Sequence, residues 1–134
     1  MIFNTQEMHS LIDKKNIYAV IGVSKNPEKY GHRVFKDLTS AGYDVYPVNP
    51  NETEILGHKV YTQLSDINEK IDVVIFVVPP HVTLEVLKEV NELGIKNVWF
   101  QPGSESPEAL EYCETNDIKS IHDACIMIER KSNG

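Results

Sequence analysis

The segment Asp72-Val-Val-Ile-Phe-Val-Val78 is apolar at every position after its first. A strand with one wet face alternates apolar and polar side chains. An unbroken apolar run marks a strand covered on both faces, as parallel strands between two helix layers are. This segment is therefore expected at the centre of a sheet. The next residues agree: Pro80 can open a helix, because the first helical position needs no N–H donor, and Val82, Val86, Val90 and Leu93 repeat on one face up to Gly94.

The alternation of strand and helix runs through the whole chain. Ile17-Tyr-Ala-Val-Ile-Gly22 reads as a strand ending in glycine, and Gly31 to Ala41 sets Val34, Phe35, Leu38 and Ala41 on one helical face before Gly42. Tyr43 to Pro50 reads as a second strand that stops near Asn49, since Pro47 removes a ladder donor and Pro50 cannot extend a central strand. Asn97 to Phe100 gives a fourth strand. Ser106 can cap a helix over Pro107 to Thr115, with Glu108 and Glu111 near its positive end, Ile118 to Ile121 gives a fifth strand, and a short helix finishes the chain.

Residues 51–70 are expected to be irregular: a turn at Glu54 to Gly57, a short extended piece at Lys59 to Tyr61, one helical turn at Leu64 to Ile67. A loop of that length is able to close over a ligand. Strands joined through helices by short loops require right-handed crossovers. The expected architecture is α/β: a single Rossmann-like, three-layer domain over residues 1–134, with a five-stranded, mainly parallel sheet. Disorder is expected only at the termini.

Composition limits the partners. Thirteen Lys and Arg against twenty Asp and Glu leave a net charge of −7, which opposes long-range attraction to nucleic acid or anionic lipid. The N-terminal segment has no apolar signal core, and the longest apolar run, Val73 to Val78, is far short of the roughly 20 residues that span a bilayer. The expected location is the cytoplasm. Cys113 and Cys125 have neither the number of a disulfide framework nor the spacing of a zinc site, and both are read as reduced thiols.

In open parallel sheets ligands bind beyond the carboxyl ends of the strands, where the strand order reverses. That edge gathers residues 22–33, 47–51, 78–81, 101–104 and 122–125. The loop from Gly22 to Gly31 leads into a helix N-terminus, which attracts phosphate; Ser24 adds a hydroxyl, and Lys25, Lys29 and Arg33 add charge. The same loop also reads as an ordinary strand-to-helix turn with solvated lysines. It has neither GxGxxG nor a GK[ST] ending, which excludes a Walker-type triphosphate site. An NAD site of the usual kind wants an acid after the second strand, and Asn49 stands there instead. Pro47, Val48 and Asn49 face Val78, Pro79 and Pro80 across the first strand, either as an apolar slot for a flat base or as plain strand-end punctuation.

His32, His81 and His122 fall near the strand ends, yet none has a carboxylate or nucleophile at a telling spacing. Cys125 lies at the edge of the site, where a following helix can lower its pKa, although a small core cysteine is the commoner fate; Cys113 reads as core. Trp99 and Phe100 alternate across their strand, one in the core and one under a helix, and their apolar surface makes a homodimer or a partner protein an expectation.

Five short pieces stand in order along the chain: A-V-I-G-V-S-K-N-P-E (19–28), G-Y-D-V-Y-P-V-N-P (42–50), I-L-G-H-K-V-Y (55–61), V-W-F-Q-P-G (98–103) and D-A-C-I-M-I (123–128). Together they resemble the small stand-alone CoA-binding proteins, related to the CoA-binding domain of succinyl-CoA synthetase α-subunits and ADP-forming acyl-CoA synthetases. The resemblance covers residues 16–128 and implies coenzyme A. It implies that Gly22, Val23 and Ser24, with Lys25 beside them, hold the pyrophosphate, and that Arg33 is a further anion partner. It implies that Pro47, Val48 and Asn49 flank adenine and ribose together with Val78, Pro79 and Pro80, and that Gln101, Pro102 and Gly103 border the pantetheine path. Cys125 matches the cysteine near the end of the family pattern. Where several relatives carry a basic residue this chain has Val78, so Lys25, Lys29 or Arg33 would meet the 3′-phosphate.

The related synthetases transfer phosphoryl groups through a histidine in a following domain and ATP-grasp machinery in another, and this chain has neither. The reading is thus a module that binds CoA or acyl-CoA without phosphoryl-transfer chemistry of its own. The alternatives are a minimal NAD(P)-binding oxidoreductase and a ligand-free regulatory or scaffold subunit.

Overall fold

The computed structural model describes residues 5–133; the extreme termini, where disorder is expected, lie outside the described residues. In chain order the elements are α1 (Thr5–Ser10), β1 (Ile17–Ile21), α2 (Tyr30–Ser40), β2 (Asp44–Val48), β3 (Glu54–Ile55), β4 (His58–Lys59), a 3-10 turn (Leu64–Asp66), β5 (Val73–Phe76), α3 (Pro80–Glu92), β6 (Asn97–Phe100), α4 (Pro107–Thr115), β7 (Lys119–Ile121) and α5 (Ile126–Asn133). The main sheet has the order β2-β1-β5-β6-β7, and all four pairings are parallel. The strand read from the apolar run is the central one, and the order reverses between β1 and β5.

Strand pleating splits the core in two. Tyr18, Val20, Val73, Ile75, Trp99 and Ile121 face the layer of α1, α2 and α5, against Val34, Phe35, Leu38 and Ile126. Ala19, Ile21, Val74, Phe76, Val98 and Phe100 face α3 and α4, against Leu87, Val90, Ala109 and Cys113. Trp99 and Phe100 are fully buried on opposite faces, so they leave no apolar surface for the expected homodimer contact. The Trp99 indole N–H donates to Ala124 O at 2.9 Å.

Two sequence expectations change. The buried stripe of α3 is Thr83, Leu87 and Val90, while Leu93 is 46% exposed and Val82 and Val86 are half-buried at its margin. A threonine can take the core position because its hydroxyl donates to Pro79 O, four residues back, at 3.4 Å. In residues 51–70 the turn before His58 and the helical turn at Leu64–Asp66 are present as expected, and the segment carries more order than expected. Glu54–Ile55 and His58–Lys59 pair as a hairpin whose turn residues, Leu56 and Gly57, both have positive φ, 51° and 80°. Ile55 and Val60 enter one core, Leu64 and Ile67 the other, and Tyr61 bridges Val48. The first half of the segment thus runs along the outer edge of β2, where it covers strand groups that would otherwise be unpaired, and its second half reaches α3, with the N–H groups of Leu64 and Ser65 on the Glu89 carboxylate.

Candidate functional site

The site is assembled where β1 ends. Gly22 has φ +102°, and its N–H donates to Val48 O at 3.0 Å. A Cβ there would stand 2.5 Å from Val77 O and from Val78 Cγ1. A Cβ on Gly31, in the first turn of α2, would run into the Gly22 carbonyl oxygen. Two glycines nine positions apart therefore let helix, loop and neighbouring strand close on one another, a packing need that dinucleotide-binding folds meet with a shorter glycine spacing.

Side chains hold the loop between them. The Asn49 amide donates to Val23 O at 2.7 Å, and its oxygen accepts Asn51 N–H at 2.8 Å. His32 is buried with Nδ1 2.7 Å from Ser24 O; a carbonyl only accepts, so this nitrogen carries the proton and the ring is a brace. Ser24 Oγ accepts Asn26 N–H at 3.1 Å. Glu52, partly buried, accepts Lys25 N–H at 3.2 Å and stands 3.9 Å from its exposed ammonium, a long pair that an anionic ligand can replace. Lys29 precedes α2 without a side-chain cap, and the first turn of the helix holds no acid. Its N–H groups and positive end are therefore available to a negative charge.

Beside this loop lies a cleft of about 350 Å³, lined by Gly22, Val48, Asn49, Pro50, Val78, Val82 and Val86, with Thr62, Gln63, Glu85 and Glu89 at its border. Its size falls within the roughly 300–1,000 Å³ of small-molecule sites. Gly22, Val48, Asn49 and Val78 are brought together here as expected. Pro47 is not: it lies on the outer side of β2 in a groove with Tyr43, His58 and Tyr61. Arg33 is also turned away, because His32 takes the inward direction; Arg33 lines a groove with Lys36, Asp37 and Arg130 between α2 and α5. Pro79 and Pro80 are exposed and start α3. The inward margin of that helix, Val82 and Val86 of the apolar repeat, forms a wall of the cleft.

On the other side of β5, buried Ser104 ties the strand ends: its hydroxyl donates to Phe76 O at 2.9 Å and accepts Val78 N–H at 3.2 Å. Pro102 and Gly103 form the exposed turn before it, with Gly103 at φ +96° and its N–H on Glu105 at 3.1 Å. The Gln101 side chain is completely buried and joins β6 to Tyr30 and Ile126, so it shapes the edge rather than lying open along it. Tyr30 was missed in the sequence, where an aromatic before a glycine carries no distinguishing signal. His81 is exposed, and His122 is 2.9 Å from the Asp123 carboxylate.

Comparison with known proteins gives the same picture. The chain is 43% identical over 81 residues to the α subunit of the Pyrococcus furiosus acetate–CoA ligase (ADP-forming) II, a match that takes in 60% of this chain but 18% of that subunit. The chain thus spans less than a fifth of that relative. It is 30% identical over 122 residues to the Bacillus subtilis protein YneT, covering 91% of this chain and 90% of that one. A solved structure of a conserved hypothetical protein from Pyrococcus furiosus superposes with a TM-score of 0.82 at 46% identity, over 85% of this chain and 98% of the other. The family model for the CoA binding domain matches residues 16–131, from the first strand into the last helix, and the chain belongs to that CoA-binding domain family.

Proposed function

We propose that this chain binds coenzyme A or an acyl-CoA at the carboxyl edge of its sheet, as a module without phosphoryl-transfer chemistry of its own. The observation that carries the reading is the apolar cleft at the strand reversal, set beside the uncapped N-terminus of α2. In this reading Val48, Val78, Val82 and Val86 enclose the adenine, with Asn49 and Pro50 beside the ribose. The backbone of Gly22, Val23 and Ser24 and the first turn of α2 hold the pyrophosphate. Lys25 leaves Glu52 for a phosphate, Lys29 lies within the same loop, and the pantetheine runs towards Gln101, Pro102 and Gly103. Asn49 acts mainly as the brace of the loop, since its amide is already committed to Val23 and Asn51.

Among the described residues no helix is long and apolar enough to cross a membrane. Calorimetric titration with CoA, 3′-dephospho-CoA, NAD and NADP tests the proposal. Saturable CoA binding, weakened by loss of the 3′-phosphate, is expected. Binding of NAD or NADP that CoA fails to displace would overturn it in favour of a nicotinamide site.

A further inference from the structure

Three side chains from separate parts of the fold meet at the β6–β7 end of the same strand edge. Cys125, immediately before α5, has its Sγ 2.9 Å from the hydroxyl of Tyr30, the first residue of α2, and 3.5 Å from Nε2 of Gln101, the residue after β6. The direction of every proton is set by one donor that cannot reverse. Ile126 N–H donates to Gln101 Oε1 at 2.9 Å, so the other end of that buried amide faces the tyrosine and donates to its oxygen at 2.9 Å. The single hydroxyl proton of Tyr30 is then left for the sulfur.

The electrostatics agree with this geometry. Burial alone would push the Cys125 thiol up, but hydrogen bonds from Tyr30, Gln101 and the N–H groups of Ile128 and Met127 outweigh it and hold the thiol below its ordinary range. Tyr30 moves the other way, raised by burial and by the sulfur beside it, and therefore stays a donor. Cys125 is also partly exposed, whereas Cys113 is buried. His122, with Nδ1 2.9 Å from the Asp123 carboxylate, lies just upstream on the same loop.

The ligand is indicated by a separate observation. The family match is to a CoA binding domain, and the nucleotide cleft lies across β5 from Gln101, the residue that fixes Cys125. The reactive end of that coenzyme is a thiol. Resting on the CoA reading of the cleft, we propose that Cys125 is a thiol–disulfide exchange site for the coenzyme itself, acting on disulfides that carry CoA. The Cys125 thiolate attacks one sulfur of CoA disulfide; the Cys125–CoA bond forms as the original sulfur–sulfur bond breaks. The second CoA leaves as a thiolate and takes a proton from solvent. One disulfide is consumed and one is made, so no further oxidant or reductant enters.

The test is intact-mass measurement of the reduced protein after incubation with CoA disulfide, beside an equal concentration of glutathione disulfide, with reversible CoA binding measured separately by calorimetry. One CoA adduct, removed by dithiothreitol, is expected in the unaltered chain and in Cys113→Ser but not in Cys125→Ser. It should form about tenfold faster than the glutathione adduct, the ratio that about 1.4 kcal/mol of specific binding supplies. Tyr30→Phe should slow the reaction at neutral pH and raise the pH of half-maximal rate, a shift that a merely structural role would not produce. Absence of the adduct with calorimetric CoA binding intact would overturn the exchange and leave the coenzyme reading standing. Equal rates with both disulfides and no calorimetric uptake of CoA would overturn both.

Discussion

The N-termini of α2 and α4 stand at the same edge of the sheet and are finished in opposite ways. At α4, Ser106 Oγ accepts Ala109 N–H at 3.1 Å and Glu108 occupies the first turn, so the helix satisfies its own positive end. At α2 the preceding residue is Lys29, no side chain caps the turn, and no acid lies within it. The α4 terminus is closed by local sequence, whereas α2 is positioned by tertiary contacts: the Gly31–Gly22 approach, the His32 brace and the Asn49 amide. A helix end that is held this firmly and left without a counter-charge is suited to an anionic ligand.

The sharpest way to break that contrast is Gly31→Ala. Its methyl would meet the Gly22 backbone, which has no flexible end to move, and a loss on the order of 3 kcal/mol or more is expected. Chemical denaturation would read it, and a loss below about 1 kcal/mol would show that the α2 terminus is loosely seated. Next comes a paired exchange of the two helix ends. Lys29→Asp gives α2 the cap it lacks, so stability should rise by about 0.5–1 kcal/mol while CoA affinity falls about tenfold. Ser106→Ala should do the reverse at α4, costing about 1 kcal/mol of stability and leaving CoA affinity unchanged. If Lys29→Asp left affinity intact in calorimetry, the phosphate reading of this terminus would be lost.

The smallest effect at neutral pH concerns a residue on α4 itself. Burial pushes the Cys113 thiol up to about 12, and burial likewise raises Tyr18 to about 12. Both groups keep in the fold a proton that the unfolded chain surrenders near its ordinary thiol or phenol pKa. Their contribution is therefore full below about pH 8.5 and is lost progressively as pH rises towards about 12. Urea midpoints at pH 7.5 and pH 10 should fall less between the two for Cys113→Ala than for the unaltered chain. An equal fall would mean that Cys113 does not titrate with unfolding.

How much of this was legible beforehand depends on the range of the interaction. The central strand, the alternation of the main-sheet strands with helices from Ile17 onward, the Ser106 cap and the loop after Gly22 are local patterns, and the structure has them, whereas the short helix α1 before Ile17 was not read. The apolar repeat Val82, Val86, Val90 and Leu93 did not mark the centre of the buried face of α3, because periodicity cannot tell the centre of a helix face from its margin, and because a threonine that bonds its own backbone can take the centre. The hairpin at residues 54–59 was missed because its turn carries Leu56 where an asparagine or aspartate is the usual signal.

By itself the sequence determined a parallel α/β chain and the strand ends at which a ligand would lie, because apolar period, glycine and proline act over a few residues. Only the tertiary structure decided which way the side chains at those ends point. Arg33 turns outward because His32 reaches Ser24, and Gln101 turns inward to Tyr30 and Ile126. The two cysteines acquire opposite acidities because one meets apolar walls and the other meets donors from distant segments. Such outcomes depend on contacts between residues up to 95 positions apart, as at Tyr30 and Cys125, and no local pattern encodes them.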